Sequence, residues 1–203
     1  MAEQEVDQPN EAATDQTLAA VAIVVAEQAA ASNDEQSETA AFWIPKLRAS
    51  TAPVLDVYLS TLLIAFISAG RGRPADRTEV QKYVESSREN ALLRGAEVVA
   101  DRDRAGDPDV GGRTARAMVV GAREDARFDA ATDMGAVYKV WRTRNDMRVR
   151  ASHGELEGNR IPLVNPFITI SGAELMYPHD PTAPLSETAG CRCRLSYLIP
   201  VPA

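Results

Sequence analysis

Hydrophobic residues recur with helical spacing along the first two thirds of the chain, and the spacing becomes more strand-like after Gly135. Four segments combine apolar stripes with good helix formers, which predicts helices over 17–32, 52–70, 76–101 and 113–131. Asp76 with Glu79 three positions later is a capping pair, so we expect the third helix to begin there. The first helix is apolar around most of its circumference, and we expect it to pack against another element or another subunit.

The pattern of the C-terminal third indicates short strands separated by loops. β-branched and aromatic residues fill 137–143, and 191–199 alternates between apolar and polar residues, which predicts two strands. Prolines interrupt 161–170 and dominate 177–184, and the second stretch must be loop because proline cannot donate in a sheet ladder. The sequence therefore predicts an α+β protein with a predominantly helical N-terminal two thirds and a small α+β C-terminal module.

Charge is divided unevenly along the chain. The net charge is −7, yet the segment 1–40 holds nine of the 29 acids and no Lys or Arg, so the segment 41–203 carries 22 bases against 20 acids. The segment 1–16 has almost nothing to bury, which predicts a flexible tail, and 33–39 is predicted to be a linker. We therefore divide the chain into an acidic flexible tail with an Ala-rich segment (1–40), a helical region (41–133) and the α+β module (134–203). The acidic tail does not argue against a polyanionic partner for the rest.

The segment 52–70 raises the question of a membrane span. It holds a single charged residue, Asp56, in 19 positions, but Ser60, Thr61 and Ser68 add polarity where a span needs about 20 apolar residues. We predict a buried core helix and no membrane partner. We also expect no export signal, because a basic n-region is missing, and two cysteines so close together favour a reducing compartment.

The two cysteines and two histidines of the chain all lie in the C-terminal module, at His153, His179, Cys191 and Cys193. Zinc accepts thiolate and imidazole ligands, and Asp146 or Asp180 could replace either histidine. Two alternatives stay open: two buried reduced thiols, and a disulfide.

Two further patterns support alternative functions. His153-Gly154-Glu155 before the cysteines partly matches the H-x-E and P-C-x-x-C motifs of zinc deaminases, although no proline precedes Cys191 and one residue separates the thiols. A metal-dependent enzyme, either a nuclease or a deaminase-like effector, is therefore one alternative. Basic residues interleaved with Trp141 predict either DNA contacts or a solvated mixed-charge surface: Lys139, Arg142, Arg144, Arg148 and Arg150. A metal-free DNA-binding module is the other alternative.

The order of residues in the module resembles a known family. It runs Trp141-x-Thr143, Asp146, Arg150, His153, Gly158, Pro166-Phe167, Leu175, Tyr177-Pro178-x-Asp180-Pro181, Glu187 and Cys191-Arg192-Cys193. This order is similar to that of the phage head morphogenesis, or Mu protein F-like (MuF), minor capsid proteins. Upstream, the segment from Arg113 through Arg123 to Ala126 resembles the Arg-rich helix that precedes the module in that family. The resemblance covers about residues 113–199.

The resemblance implies a non-enzymatic, low-copy structural protein of a tailed-phage head, located at the portal vertex or capsid interior after assembly in the host cytoplasm. It implies roles in head morphogenesis and in DNA packaging or delivery, with the portal protein, a major capsid or scaffolding protein and packaged DNA as partners. The family usually has a small residue at the position of His179, so the main metal set is His153, Cys191 and Cys193. A fourth ligand would come from Asp146, His179 or Asp180, and any zinc would be structural. Trp141, Phe167 and Tyr177 are expected to be structural residues.

Overall fold

Four long helices precede a small sheet in the computed structural model of the protein, which describes residues 2–7, 11–32, 39–104 and 108–201. The helices are α1 (Glu11–Ala30), α2 (Ala40–Arg71), α3 (Arg77–Arg104), α4 (Val110–Asp133), α5 (Ala151–Gly154) and α6 (Leu185–Thr188). The strands are β1 (Glu3–Val6), β2 (Tyr138–Arg142), β3 (Arg160–Pro162), β4 (Phe167–Ile168), β5 (Glu174–Leu175) and β6 (Arg194–Pro200). The α+β prediction, with helices concentrated in the N-terminal two thirds, is confirmed.

Helix α1 packs on α4 of the same chain. Its buried residues recur at helical spacing and form one stripe: Thr14, Thr17, Val21, Val25 and Ala29. The two helices come very close at Gly111, where an added Cβ would lie 2.4 Å from the carbonyl oxygen of Ala22. The neighbour expected for this apolar helix is therefore an element of the same fold.

Helix α2 is long and apolar enough to cross a membrane by length and composition, and 39% of its most apolar window is buried. The buried residues Leu59, Leu63 and Phe66 belong to the hydrophobic core. Its single acid in the apolar segment, Asp56, receives two hydrogen bonds of 3.1 and 2.8 Å from Arg88 of α3. One side of α2 therefore contributes to the core, and its charge is neutralised by the neighbouring helix.

The predicted capping pair begins α3. Asp76 Oδ1 accepts hydrogen bonds from the backbone N–H groups of Thr78 (2.8 Å) and Glu79 (3.0 Å), and Glu79 Oε2 accepts one from the N–H of Asp76 (3.2 Å). These contacts satisfy N–H groups that have no partner inside the helix. The capping prediction is confirmed.

The main sheet is antiparallel with strand order β1-β6-β2-β3, and β4 pairs with β5 in a separate hairpin. The prediction of a flexible tail over 1–16 is wrong for the described residues, since β1 pairs with β6 and α1 already begins at Glu11. Backbone hydrogen bonding to β6 and the burial of Val6 order this segment, although its composition is mainly polar. Residues 1 and 8–10 of that tail, and all of the predicted linker except Thr39, lie outside the described residues.

The C-terminal strand begins later than expected. Strand β6 starts at Arg194, so Cys191 and Cys193 lie in the irregular segment before it and not in the ladder. Gly190, with a φ of +69°, makes the turn that leads from α6 into this segment. The backbone at the two cysteines is therefore not constrained by strand pairing.

Candidate metal centre

Three donor side chains meet in the interior of the module. His153 lies on α5 and the two cysteines lie just before β6, yet Nδ1 of His153 is 3.5 Å from Sγ of Cys191 and 3.6 Å from Sγ of Cys193. The three residues are 1%, 2% and 3% exposed. Their ligand atoms all lie within 4.8 Å of one another, so the group could hold a metal ion.

The distances match those of a tetrahedral zinc site. With Zn–S bonds of about 2.3 Å and Zn–N bonds of about 2.0–2.1 Å, tetrahedral angles place the nitrogen and each sulfur about 3.5–3.6 Å apart. The observed separations of 3.5 and 3.6 Å equal that edge length. Both cysteines are free thiols, so the disulfide alternative is not what the structure contains.

The other ring nitrogen of His153 faces a carboxylate. Nε2 lies 3.1 Å from Oε2 of Glu187 on α6. Ser152 and Ser171 donate hydrogen bonds of 2.9 and 2.7 Å to the same carboxylate. Burial alone would raise the pKa of Glu187, but these hydroxyl groups and the neighbouring His153 hold that pKa below its usual value. A carboxylate behind a ligating histidine is the usual second contact of metal-bound imidazole, and here Glu187 lies within ion-pair distance of Nε2 although the pair does not have hydrogen-bond geometry.

The two thiols lie close enough to change each other's pKa. The hydrogen bond from the Cys193 thiol is the largest cause that lowers the pKa of Cys191 well below its usual value, with His153 acting in the same direction. The pKa of Cys193 is raised by that same interaction and by burial. The backbone N–H of Cys193 also lies 3.5 Å from Cys191 Sγ. A lowered thiol pKa favours the thiolate, which is the form that binds metal.

Aromatic rings close the centre on one side. Trp141 is fully buried, and its ring meets those of His153 and Phe167 edge-on at centroid distances of 5.2 and 5.1 Å. The indole Nε1 has no hydrogen-bond partner among the described residues. Tyr177 lies apart from this group and donates a 2.7 Å hydrogen bond to Asp125 of α4.

Side chains of α4 hold the cysteine segment in place. Arg123 donates to the carbonyl of Cys193 at 3.4 Å, and Arg127 donates to the carbonyl of Leu195 at 2.8 Å. Glu124 accepts the N–H of Leu195 at 3.0 Å. All three side chains on α4 are at least nine-tenths buried. The helix before the module thus fixes the backbone that presents the thiols.

None of the three candidates for a fourth ligand joins the group. Asp146 is exposed and takes two hydrogen bonds from Arg192, at 2.8 and 2.5 Å. His179 is buried, but its Nε2–H donates to the carbonyl of Cys191 at 2.7 Å, and burial lowers its pKa. Asp180 accepts the N–H of Met176 at 2.7 Å and two bonds from Thr182. Each candidate is already engaged in holding a loop.

Two of the predicted DNA contacts, Lys139 and Arg150, need correction. Lys139 is fully buried, its Nζ donates to the carbonyl of Met176 at 2.7 Å, and burial lowers its pKa to about 8. Because strand residues alternate between faces, the lysine shares the inner face of β2 with Trp141. Arg150 donates to the carbonyls of Glu187 and Ala189. Arg142 and Arg144 pair with acids near the N-terminus, whereas Arg148 is exposed.

A cleft of about 530 Å³ lies between α3, α4 and the loop 179–190, where Arg94, Arg113 and Gly190 contribute to its walls. None of the three donors lines this cleft. Glu155, the acid expected beside a catalytic metal, is exposed and outside the donor group.

Glu187 lies beside the donor group, but no pattern in the sequence assigned it a role there. It lies far along the chain from His153, on a four-residue helix, and no periodicity links the two. No protein-family model, curated protein or solved structure matches the chain. The similarity to the MuF family therefore rests on the order of residues from Trp141 to Cys193.

Proposed function

We propose that the chain is a minor structural protein of a tailed-phage head, located at the portal vertex or capsid interior, and that it acts in head morphogenesis and in DNA packaging or delivery. The proposal starts from the MuF-like order of residues. It assigns the protein no catalytic step.

The observation that carries the proposal is the convergence of those residues on one centre. Trp141, His153, Glu187, Cys191 and Cys193 are widely spaced in the sequence, and all of them meet around the buried donor group. The residues that carry the sequence resemblance therefore also form one site, as the residues of a structural motif do. Arg123, in the segment that resembles the family's Arg-rich helix, adds support by bonding to the carbonyl of Cys193.

We propose further that the donor group binds zinc and that the zinc is structural. A buried Cys2His set has the donor chemistry of structural zinc sites, although such sites normally have a fourth ligand. The module has a small core. A metal ion that links α5 to the segment before β6 would stabilise the module without the additional residues that a larger core needs. The burial of the three donors and the exposed position of Glu155 outside the donor group favour this staple over the metal-dependent enzyme.

Cobalt substitution tests the metal assignment on the intact chain. We expect one zinc ion per chain in protein purified without chelator, and replacement by Co²⁺ should give thiolate charge-transfer absorption. His153→Ala should remove the bound metal. The control is Glu155→Gln, an exposed acid two residues from His153 and outside the donor group, and it should keep full stoichiometry. Zinc-free protein that fails to take up Co²⁺ would contradict the staple.

The head assignment is tested separately from the metal. Mass spectrometry of purified virions and immature heads should detect the protein at low copy number, and labelling should place it at one vertex. Cross-linking should recover the portal protein, or a major capsid or scaffolding protein, as its neighbour. Absence from both kinds of particle would overturn the head proposal, whatever the zinc content.

A further inference from the structure

The outer face of the four-stranded sheet carries arginines whose counter-charges come from the N-terminal segment. We call Arg142 of β2, Arg160 of β3, Arg194 of β6 and Arg144 after β2 the arginine face. Within the part of the chain that the structure describes, their ion pairs are Glu3–Arg160 (2.7 Å), Glu5–Arg142, Asp7–Arg194 (3.0 Å) and Arg144 with Glu11 (3.8 Å) and Asp15 (3.9 Å). The acids near the start of the sequence therefore form ion pairs with arginines of the sheet in the same chain.

Strand β1 divides its residues between two tasks. Gln4 donates to the carbonyls of Ala69 and Gly70 at the end of α2, and Val6 is buried in the core. Glu3 and Glu5, which point to the opposite side because strand residues alternate, reach the arginines. One side of the edge strand β1 therefore packs against the fold, and the other side presents a row of acids.

The arginines are placed where they repel one another. Arg142 lies directly opposite Arg194 in the β2–β6 ladder, and like charges in that position destabilise a sheet. Glu5 and Asp7 neutralise the two. All four arginine side chains are between 20% and 48% exposed, so their ion pairs are screened by salt and exchange readily with other anions.

A phosphodiester backbone offers the same chemistry as this row of carboxylates, because guanidinium groups bind phosphate as well as carboxylate in bidentate geometry. Tyr138 lies on the same face with Arg160 4.0 Å above its ring, which adds an aromatic group of the kind that nucleic-acid surfaces use. We propose that the arginine face binds a nucleic-acid backbone, and that Glu3, Glu5 and Asp7 compete with the nucleic acid for Arg160, Arg142 and Arg194. This inference rests on the ion pairs and does not depend on the head assignment.

DNA binding by charge variants of the full chain tests the competition. The probe is a short double-stranded DNA of arbitrary sequence, titrated between about 50 and 200 mM salt. Glu3→Gln, Glu5→Gln and Asp7→Asn in one variant should tighten binding by about tenfold at the lower salt and steepen the salt dependence. The matched control removes three exposed acids that make no ion pair in the described part of the chain, Glu27→Gln, Glu155→Gln and Glu174→Gln. It changes the net charge equally and should tighten binding far less.

Two further results decide the proposal. Adding Arg142→Gln and Arg194→Gln to the first variant should cancel its gain. For the unaltered chain, saturating DNA should speed hydrogen exchange of the β1 amides, a measurement that does not depend on any variant folding. The proposal would be overturned if the two acid variants gained equally in affinity, or if no variant bound DNA. It would also be overturned if saturating DNA left hydrogen exchange in β1 unchanged, or if anionic vesicles displaced β1 and DNA did not.

Discussion

The contact between α2 and α3 in the helical region and the interior of the C-terminal module are stabilised by different kinds of interaction. Between α2 and α3 the buried residues are mainly aliphatic, such as Leu59, Leu63 and Val80. The interior of the module combines rings with buried polar groups, including Lys139 and His153. Aliphatic burial is non-directional and tolerates small shifts, whereas hydrogen bonds and metal ligands do not. The comparison predicts a robust helical region and a module that depends on a few specific groups.

The two tryptophans make the comparison measurable, because Trp43 lies in α2 and Trp141 lies in β2. A Trp43→Phe background leaves Trp141 as the only indole reporter of the module. The variants below would be measured in that background by urea unfolding, and far-UV circular dichroism would report on the helices.

The largest effect should follow loss of a donor. Cys191→Ser, Cys193→Ser and His153→Ala should each lower the free energy of unfolding by about 5 kcal/mol or more, since structural zinc contributes about 10–16 kcal/mol in zinc-finger peptides. Any second donor substitution should add little, because the first already releases the metal. Modest and additive losses in zinc-free protein would instead leave the two thiols as packing residues.

Removal of the central ring of the module should rank next. Trp141→Ala should cost about 3–5 kcal/mol, because it empties a fully buried site between His153 and Phe167. This variant lacks the reporter, so it is followed by circular dichroism at a module-sensitive wavelength and by thermal unfolding. Arg144→Ala, which removes a partly exposed ion pair, should cost about 1 kcal/mol or less. Equal shifts for the two variants would mean that Trp141 does not support the module.

An aliphatic truncation in the helical region should be costly but independent of metal. Leu59→Ala should cost about 2–5 kcal/mol, since Leu59 is fully buried in α2. Chelator should not change this loss, and combination with Cys191→Ser should give the sum of the two single losses. Strong non-additivity would show that the Leu59 site and the metal centre are energetically coupled.

The smallest effect concerns the buried amine of the module. The pKa of Lys139 is lowered from 10.5 to about 8, so between those values the unfolded chain binds more protons and stability should rise with pH. Below about pH 8 the folded state carries the full cost of the buried charge, which should be on the order of 1–3 kcal/mol. Lys139→Met should flatten the curve of unfolding free energy between pH 8 and 10.5. An unchanged slope in that variant would mean that the Lys139 amine titrates normally.

The long helices could be predicted from sequence because their signals are local. Apolar spacing located part of each of the four, although α2 begins twelve residues before the predicted 52–70, and the Asp76–Glu79 capping pair gave the start of α3 to within one residue. Strand β1 could not be predicted in this way. Its sequence Glu-Gln-Glu-Val has one apolar residue, and its ladder partner β6 lies almost the whole chain away. A strand defined by a distant partner leaves no local pattern.

The donor residues of the centre were recognisable because few residue types have their chemistry, and both cysteines and both histidines of the chain lie in one module. Which histidine belongs to the centre depends on the course of the chain: His153 reaches both sulfurs, whereas His179 bonds to a carbonyl. The same holds for charge, since composition showed the acidic start and basic remainder, but only the fold pairs Glu5 with Arg142. Residue chemistry and periodicity are properties of short stretches and can be read along the chain. Ligand distances and ion pairs depend on where distant segments meet, and that is set by packing of the whole core.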